Sequence, residues 1–220
     1  MYIDIVLPVV NYRLGYHLLK SIEANTLLPR EVLVIDNNLS GKPFVFKTNK
    51  FSVVRLKSMT GRLNESWEVA RSRLRKDSDY VSFLNDDIIV GDWFLQRVYE
   101  TFRANSKCGV ACPLSHPFIH EVVKGKVRYS VMKKRDACAL TIRKDLLDKI
   151  PPVPYNRITT FHGDDWLWFY TKKLGYEWMV DEGNAICHFV GISVRRKGFR
   201  EIKKKEKNEW DRIFREEFCK

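Results

Sequence analysis

The sequence predicts an α/β protein with a Rossmann-like, mostly parallel sheet, helices on both faces and a small antiparallel portion. Short apolar runs of strand length alternate along the chain with longer segments whose apolar residues recur at helical spacing. The strand-length runs are apolar almost throughout, a pattern typical of parallel strands that are covered on both faces. The chain has 220 residues, 45% of them hydrophobic, which suits one domain with a substantial core and excludes disorder as the main state.

The first 113 residues show this alternation most regularly. Apolar side chains fall on one face of each helical segment, as Leu14, Leu18 and Ile22 do in the first one. Strands that alternate with helices are joined by crossover connections, which make neighbouring strands parallel. The predicted strands cover residues 3–8, 31–36, 51–56, 79–87 and 108–113, and the predicted helices cover residues 14–23, 65–74 and 93–102.

After about residue 114 the rhythm changes to shorter strands, which we expect to be antiparallel. We therefore predict one domain over residues 1–197, with halves at 1–113 and 114–197, followed by a basic amphipathic helix over 198–220. The later strands are predicted at 126–132, 137–143, 177–182 and 184–189, with a tryptophan-rich helix at 164–174.

The net charge is +12, and the excess of basic side chains is greatest at the C-terminal end. The last 26 residues, from Arg195 on, hold eleven basic and six acidic side chains. A positive field attracts phosphates, so nucleic acid, an anionic lipid surface and a phosphorylated small molecule are the partner classes that this charge allows. Trp210 and Phe214 lie on an apolar stripe of the same helix, which would dock either on the domain or on an anionic membrane.

The cysteines predict a reducing location and no zinc site. Five cysteines at scattered positions do not suit the disulfide framework of a secreted protein. A Cys/His series recurs every fourth residue over 108–120, but Pro113 and Pro117 would interrupt the helix that makes this spacing useful for zinc. The N-terminal residues predict a strand and not a signal peptide, so we expect a cytoplasmic protein, peripheral to the membrane if its C-terminal helix binds one.

Polar side chains follow three of the predicted parallel strands where each strand ends, at the edge where open α/β sheets bind ligands. Asn11 follows the first strand, Asp36 and Asn37 end the second, and the Asn-Asp-Asp run at 85–87 ends the fourth. Taken singly, such residues also form turns and cap helices. Two adjacent carboxylates suit Mg²⁺ or Mn²⁺ shared with the phosphates of a substrate. Because neither a GxxxxGK[ST] loop nor a GxGxxG turn is present, metal and basic side chains would have to neutralise those phosphates.

Seven segments, taken in order, carry a resemblance to a known family. They are IDIVLPVVN, EVLVIDNN, GRLN, YVSFLNDDI, RDACALTIR, HGDDWLWF and AICHFVGIS, and they span residues 3 to about 196. The ordered set resembles the GT-A fold glycosyltransferases of family 2. The resemblance implies a metal-dependent, inverting, hexosyltransferase-like enzyme with Mn²⁺ or Mg²⁺ as cofactor. A nucleoside-diphosphate sugar would bind the half at 1–113, and an acceptor hydroxyl on a glycan, a lipid-linked molecule or a protein would bind the half at 114–197.

The resemblance also implies where donor and metal would bind. Residues 85–87 match the family's DXD motif with Asn at its first acid, so Asp86 would face the ribose or the metal and Asp87 would hold the metal. His188, in AICHFVGIS, falls where some members have a further metal or diphosphate ligand, and a buried core histidine is the alternative. Arg195 follows soon after and has the fork geometry that suits phosphate. The implied nucleotide-sugar contacts are Pro8, Val10, Asn11, Asp36, Asn37, Arg62, Asn64, Asn85 and Asp86.

By the same resemblance, Asp165 falls where the family keeps its catalytic base. A carboxylate there would remove the proton of the acceptor hydroxyl as the sugar is transferred. Asp164 remains an alternative base, and either residue would also serve as a helix cap. Asp136 borders the acceptor site by resemblance, whereas Trp166 and Trp168 would either stack on a sugar ring or pack in the core.

Two other functions remain compatible with the composition. The charge of +12 suits a nucleic-acid-binding module, although no known nucleic-acid motif is visible. A sugar-1-phosphate nucleotidyltransferase would need a basic, glycine-rich loop after the first strand, where the chain has only Arg13 and Gly15. Metal-dependent nucleotide binding would favour the glycosyltransferase, and steeply salt-dependent binding of polyanions would favour the nucleic-acid module.

Overall fold

Nine strands and six helices occur in residues 1–38, 42–116, 129–131, 138–189 and 199–219, which are the residues described by the computed structural model. The strands are β1 Ile3–Val9, β2 Glu31–Asp36, β3 Ser52–Lys57, β4 Tyr80–Leu84, β5 Ile88–Val90, β6 Cys108–His116, β7 Tyr129–Val131, β8 Ala139–Arg143 and β9 Glu177–His188. The helices are α1 Tyr12–Glu23, α2 Leu63–Arg71, α3 Phe94–Ala104, α4 Lys144–Leu147, α5 Gly163–Lys173 and α6 Phe199–Phe218.

The strands form one sheet in the order β3-β2-β1-β4-β8-β6-β9-β5, and β7 also pairs with β9. The first four strands of this order are parallel. Beyond β4 the pairings are mixed, because β8 runs antiparallel to both β4 and β6, whereas β6 and β9 are parallel. The predicted α/β fold class is therefore confirmed, and the antiparallel portion lies beyond β4.

Each central strand contributes side chains to two cores, because successive residues point to opposite faces of a sheet. In β1, Ile5 and Leu7 face the core beneath α1 and α3, whereas Val6 faces the core beneath α2, α4, α5 and α6. In β2, Val34 and Leu33 divide in the same way. Helices cover both faces of the sheet, which explains why these strands are apolar without alternation.

The predicted strand over 79–87 is interrupted at its polar residues. β4 ends at Leu84, residues 85–87 turn, and the short strand β5 begins at Ile88. β5 does not continue beside the neighbours of β4 but pairs antiparallel with β9. The chain therefore changes its place in the sheet at the Asn-Asp-Asp run, which leaves these three residues at the carboxyl edge.

The two strands predicted at 177–182 and 184–189 form a single strand, β9, that contains a bulge. Its register with β6 shifts between Asp181 and Ala185. Asp181 accepts two hydrogen bonds from the Arg97 guanidinium, at 2.9 and 2.8 Å, and a Cβ at Gly183 would lie 2.2 Å from that guanidinium. The glycine thus makes room for a buried ion pair between α3 and β9.

We expect Asp181→Ala to lower the free energy of unfolding by about 3 kcal/mol or more, because it leaves the Arg97 guanidinium buried without its partner. Asp145→Ala is the matched control, since Arg143 and Asp145 form a similar two-bond pair but 52% of the Asp145 side chain is exposed. Its loss should be about 1 kcal/mol or less. Urea unfolding followed by circular dichroism measures both, and equal losses would contradict a stabilising role for the buried pair.

Candidate functional site

Asp86 ties the end of β4 to the end of β1. Its buried Oδ2 atom accepts hydrogen bonds from the backbone N–H groups of Val10 at 2.8 Å and Asn11 at 2.6 Å. Asn11 caps α1 by accepting a hydrogen bond from the Leu14 N–H at 3.3 Å. A carboxylate at a helix N-terminus is favoured by the exposed amides and the helix dipole. This oxygen of Asp86 therefore has a bracing role, in addition to any contact with a ligand.

Asp36 has a similar bracing role at the end of β2. Its buried carboxylate accepts hydrogen bonds from the Tyr12 hydroxyl at 2.7 Å and the Phe44 N–H at 3.1 Å. Burial and the hydrogen bond to Asp36 raise the pKa of Tyr12 to about 12, so the phenol keeps its proton at neutral pH. The neighbouring Asn37 is also buried, and its side-chain oxygen accepts a hydrogen bond from the Ser66 hydroxyl at 2.9 Å.

Asp87 and His188 lie side by side, as expected for two ligands of one site. The pairing of β5 with β9 places Ile88 opposite His188, and the Phe189 N–H donates to the Asp87 carbonyl at 2.9 Å. His188 Nε2 lies 3.5 Å from Asp87 Oδ1. Hydrogen bonds with Asp87 and then Cys138 raise the pKa of His188 to about 10. The structure thus brings together one carboxylate and one imidazole beside the Asn-Asp-Asp turn.

A divalent cation would find two protein ligands at this point. Within the described ranges, no group of three or more His, Cys, Asp or Glu side chains is arranged to hold a metal ion. Asp87 would supply one oxygen, His188 would supply one nitrogen once the metal has displaced its proton, and a metal ion that works with a nucleotide takes further ligands from phosphate and water. Mn²⁺ accepts imidazole more readily than Mg²⁺ does, so the donor set fits a metal that is completed by its substrate.

The first turn of α2 connects the end of β2 with the loop before α5. Asn64 is fully buried, and its amide donates to the carbonyl oxygens of Ile158 at 2.8 Å and Phe161 at 2.9 Å. A Cβ at Gly163 would lie 2.3 Å from Asn64 Oδ1, so the start of α5 packs directly on this side chain. Ser66, in the same turn, holds Asn37. The end of β2 and the start of α5 therefore lie on the same side of the sheet.

These contacts distinguish Arg62 from Asn64, the two residues that the resemblance implies as contacts for the diphosphate or ribose. The Asn64 side chain is committed to backbone carbonyls and has no exposed surface. Arg62, just before α2, is half-buried, and its guanidinium has no hydrogen bond or ion pair within the part of the chain that the structure describes. Of the two, Arg62 is the one with a side chain available to an anion.

The two candidate bases open α5. Asp165 Oδ2 lies 2.6 Å from His162 Nδ1, and Asp164 Oδ1 accepts a hydrogen bond from the Asp165 N–H at 3.0 Å. Burial and the neighbouring Asp165 raise the pKa of Asp164 to about 6. Burial also raises the pKa of the Cys112 thiol, and Asp164 contributes to that rise, so the first turn of α5 lies near the middle of β6. The site therefore combines a carboxylate paired with an imidazole and a second carboxyl that titrates near pH 6.

The structure decides between the two roles left open for Trp166, sugar stacking and core packing. Trp166 is buried in the core, where its Nε1 donates to the Pro151 carbonyl at 2.9 Å and its ring contacts Phe218 at 5.9 Å between centroids. Trp168 is half-buried and packs edge-on against Trp178 at 5.2 Å. One face of an amphipathic helix is apolar because it packs against the core, and Trp166 lies on that face of α5.

The C-terminal helix α6 docks on the domain, which decides between the two roles left open for its apolar stripe. Trp210 and Ile213 are buried, and Phe214 lies 4.7 Å from Phe169 of α5, measured between ring centroids. Within the described residues, no helix has both the length and the apolar character needed to cross a bilayer.

Two predicted site residues, Arg195 and Asp136, lie outside the described residues. The same holds for His120 of the Cys/His series, whereas Cys108 and Cys112 of that series are buried in strand β6. Pro8 is buried within β1, Val10 is half-buried, and the Asn85 N–H donates to the Cys138 carbonyl at 2.9 Å.

Two residues near the candidate bases were not identified from the sequence. His162 stands three residues before Asp165, a spacing at which side chains meet across a helix start, and this spacing could have suggested the pair. Glu206 of α6 binds the backbone of the loop before α5. It occurs in a lysine-rich run, and nothing in its local sequence indicates a buried partner so far away in the chain.

Comparison with known proteins identifies solved structures that share the fold of this chain. No family model and no curated protein matches the chain. Among solved structures, S. aureus TarS 1–349 matches with a TM-score of 0.59 and 16% identity, over 84% of this chain and 59% of that chain. Its complex with UDP-GlcNAc matches with a TM-score of 0.60 and 16% identity, over 95% and 66%. Full TarS gives a TM-score of 0.61 and 13% identity, over 84% and 36%.

At sequence identities this low, the structural match establishes a common fold and nothing more. The chain spans 59% of the solved TarS 1–349 chain, so the part that it matches is shorter than that protein. TarS 1–349 has also been solved with UDP, and that structure matches with a TM-score of 0.58. The predicted GT-A type fold is thus confirmed, because this chain shares its fold with TarS.

Proposed function

We propose that this chain is an inverting glycosyltransferase that uses a nucleoside-diphosphate sugar. The observations that support the proposal are the Asp87–His188 pair at the carboxyl edge of one GT-A type sheet and Asp165 at the start of α5, whose preceding loop is bonded to Asn64 of α2. These residues come from three separate segments, so turn formation alone would not account for all of them. TarS, which shares the fold, has been solved with UDP and UDP-GlcNAc, which supports a uridine nucleotide as the first donor to test.

Donor binding is proposed at the ends of β1 and β2 and at the start of α2. Asp36 and Asn37 would border the nucleoside, as the resemblance implies, while Asp86 holds the adjacent backbone in place. The half-buried guanidinium of Arg62 lies at a helix N-terminus, and both features favour a phosphate. Asp87 and His188 would hold Mn²⁺ or Mg²⁺, which when bound would stabilise negative charge on the leaving diphosphate.

The chemical step requires a base for the acceptor hydroxyl, and we propose Asp165 for this role. Its carboxylate takes the proton as the oxygen attacks C1 of the sugar and the bond from C1 to the diphosphate breaks. A single displacement with one base inverts the configuration at C1. Asp164 is the second candidate, because a carboxyl group whose pKa is about 6 is ionised at neutral pH and is a stronger base than an ordinary aspartate.

We expect one of UDP, GDP and dTDP to bind with a heat that depends on Mn²⁺. Asp87→Asn should weaken this metal-dependent binding about tenfold or more, because it removes a charged ligand. Asp92→Asn, at an exposed position beyond β5, is the matched control and should bind as the wild type does. Isothermal titration calorimetry with and without Mn²⁺ measures all of these, and an unchanged metal response in Asp87→Asn would move the metal site elsewhere.

Asp165→Asn should lower transfer or donor hydrolysis by ~10²–10⁴-fold while nucleotide affinity stays nearly constant, because the base acts on the acceptor. The assay is release of nucleoside diphosphate from a panel of nucleotide sugars, beginning with UDP-GlcNAc, in the presence of Mn²⁺. Loss of nucleotide affinity in this variant would contradict the assigned role.

The pH dependence separates the two candidate bases. A carboxyl group accepts a proton only when ionised, so a rate that depends on Asp164 falls as the pH drops through about 6. If Asp165 is the base, Asp164→Asn should retain most of the activity. If the rate of the wild type falls below about pH 6 and Asp164→Asn abolishes the activity, the base is Asp164. If no nucleotide sugar is turned over and polyanions bind with steep salt dependence, the nucleic-acid module becomes the better hypothesis.

We also propose that the outer face of α6 makes any membrane contact, because its apolar stripe is occupied by the domain. Lys203, Lys204 and Lys205 are exposed there, and each basic residue near an anionic bilayer contributes ~1 kcal/mol. The double variant Lys204→Glu/Lys205→Glu should reduce co-sedimentation with phosphatidylserine vesicles. Lys76→Glu/Lys149→Glu carries the same net charge on exposed positions away from α6 and serves as control. Equal binding by both double variants would refute the contact.

A further inference from the structure

The loop before α5 is held by a carboxylate from the C-terminal helix. Glu206 is buried, and its Oε1 atom accepts hydrogen bonds from the Thr159 N–H at 3.0 Å and the Thr159 hydroxyl at 2.6 Å. Its Oε2 atom accepts from the N–H groups of Thr160 at 3.1 Å and Phe161 at 2.8 Å. Charge-assisted hydrogen bonds to consecutive backbone amides are strong and directional. A single side chain of α6 therefore fixes three successive residues of this loop.

Trp210 extends the same contact by one helical turn. Residues four apart share a helix face, so Glu206 and Trp210 approach the loop together. The Trp210 ring is buried and stacks on the His162 ring, with centroids 5.4 Å apart and planes 2° from parallel. The imidazole is thereby held flat against α6, immediately after the residues that Glu206 binds.

His162 has an unusual backbone conformation that needs such support. Its φ is +65° and its ψ is 5°, and among the described non-glycine residues it is the one with a positive φ. This left-handed conformation is unfavourable for a residue with a Cβ, and it persists where the surroundings hold it. The side chain makes no capping bond to α5.

The strained conformation directs the imidazole at Asp165. His162 Nδ1 lies 2.6 Å from Asp165 Oδ2. A carboxylate that acts as a base accepts the hydrogen bond of this contact, so the proposed role of Asp165 makes Nδ1 the donor. The other ring nitrogen, Nε2, is buried and has no hydrogen-bond partner within the described part of the chain. The contact with Asp165 is therefore the one polar interaction of the His162 ring within the described residues.

We propose that His162 is a positioning residue for the base of the transferase, and that α6 acts through Glu206 and Trp210 to hold His162 in place. The proposal rests on the proposed function, in which Asp165 removes the acceptor proton. A hydrogen bond from a fixed ring restricts rotation of the carboxylate, so that its other oxygen keeps one direction toward the acceptor. Misplacement of a catalytic group by about 1 Å lowers rates by ~10²-fold. The gain in rate from a fixed carboxylate therefore outweighs the unfavourable backbone conformation of His162.

The first experiment replaces His162 in the full chain. His162→Ala should lower the turnover number for nucleotide-sugar hydrolysis by ~10–10²-fold, with the donor KM and the UDP dissociation constant within about twofold of wild type. His162→Asn should recover most of the loss, because Asn tolerates the left-handed conformation and its amide can donate to Asp165. A merely structural role for His162 would not separate turnover from KM in this way.

The second experiment reaches the same group from α6. Trp210→Leu and Glu206→Gln should reduce turnover in the same direction as His162→Ala. The matched controls on the same helix are Phe214→Leu, which removes a ring packed on Phe169, and Glu201→Gln, which changes an exposed carboxylate. Nitrogen-15 spectra of the imidazoles should show a protonated Nδ1 for His162 in wild type and both controls, with the signal assigned by its absence in His162→Asn.

The outcomes distinguish this inference from the function on which it rests. A wild-type chain that turns over no nucleotide sugar overturns the proposed function and the inference together. An active wild type whose His162→Ala variant keeps full turnover overturns the positioning role alone. A variant that raises the donor KM with turnover preserved does the same. If His162→Ala fails to fold, the comparison of Trp210→Leu with Phe214→Leu decides the question.

Discussion

The architecture of the candidate site depends on one buried amide. Asn64 in the first turn of α2 donates to two carbonyl oxygens of the loop before α5. Burying an amide is costly unless its hydrogen bonds are made, so the loop is held to the position where both carbonyls face Asn64. Two residues further along the same helical turn, the Ser66 hydroxyl donates to Asn37, just after the end of β2. A short stretch of α2 thus joins the end of β2 to the segment that bears the candidate bases.

The candidate acids differ in what their side chains contact in the folded chain. Asp36 and Asp86 accept hydrogen bonds from backbone amides of neighbouring segments. Asp87 and Asp165 instead face imidazoles, those of His188 and His162. Turn formation and metal or base chemistry were competing explanations for each acid in the sequence. In the folded chain, a structural role accounts for Asp36 and Asp86, and the proposed chemistry concerns Asp87 and Asp165.

Local pattern was sufficient for most of the fold, because apolar periodicity reflects which faces are buried. The strand predicted over 31–36 matches β2 in its bounds, and the helix over 164–174 differs from α5 by one residue at each end. β5 was missed since three residues carry too little pattern, and β9 appeared broken because its bulge at Gly183 is set by Arg97 of another helix. The adjacency of Asp87 and His188 was available only through the family resemblance, since their strands are a hundred residues apart.

The features that no local pattern could predict all involve α6. Taken alone, this helix is a highly charged segment whose stability must come from the packing of one face. Its inner face carries both the apolar stripe and Glu206, so the same docking that stabilises the helix also clamps the loop before α5. Lys203 precedes Glu206 by three residues, and its Nζ lies 5.7 Å from the centroid of the Phe161 ring in that loop, whereas Lys204 and Lys205 are exposed. The same docking therefore brings a positive charge beside the loop that precedes the candidate bases, and a charge of this sign attracts anionic ligands.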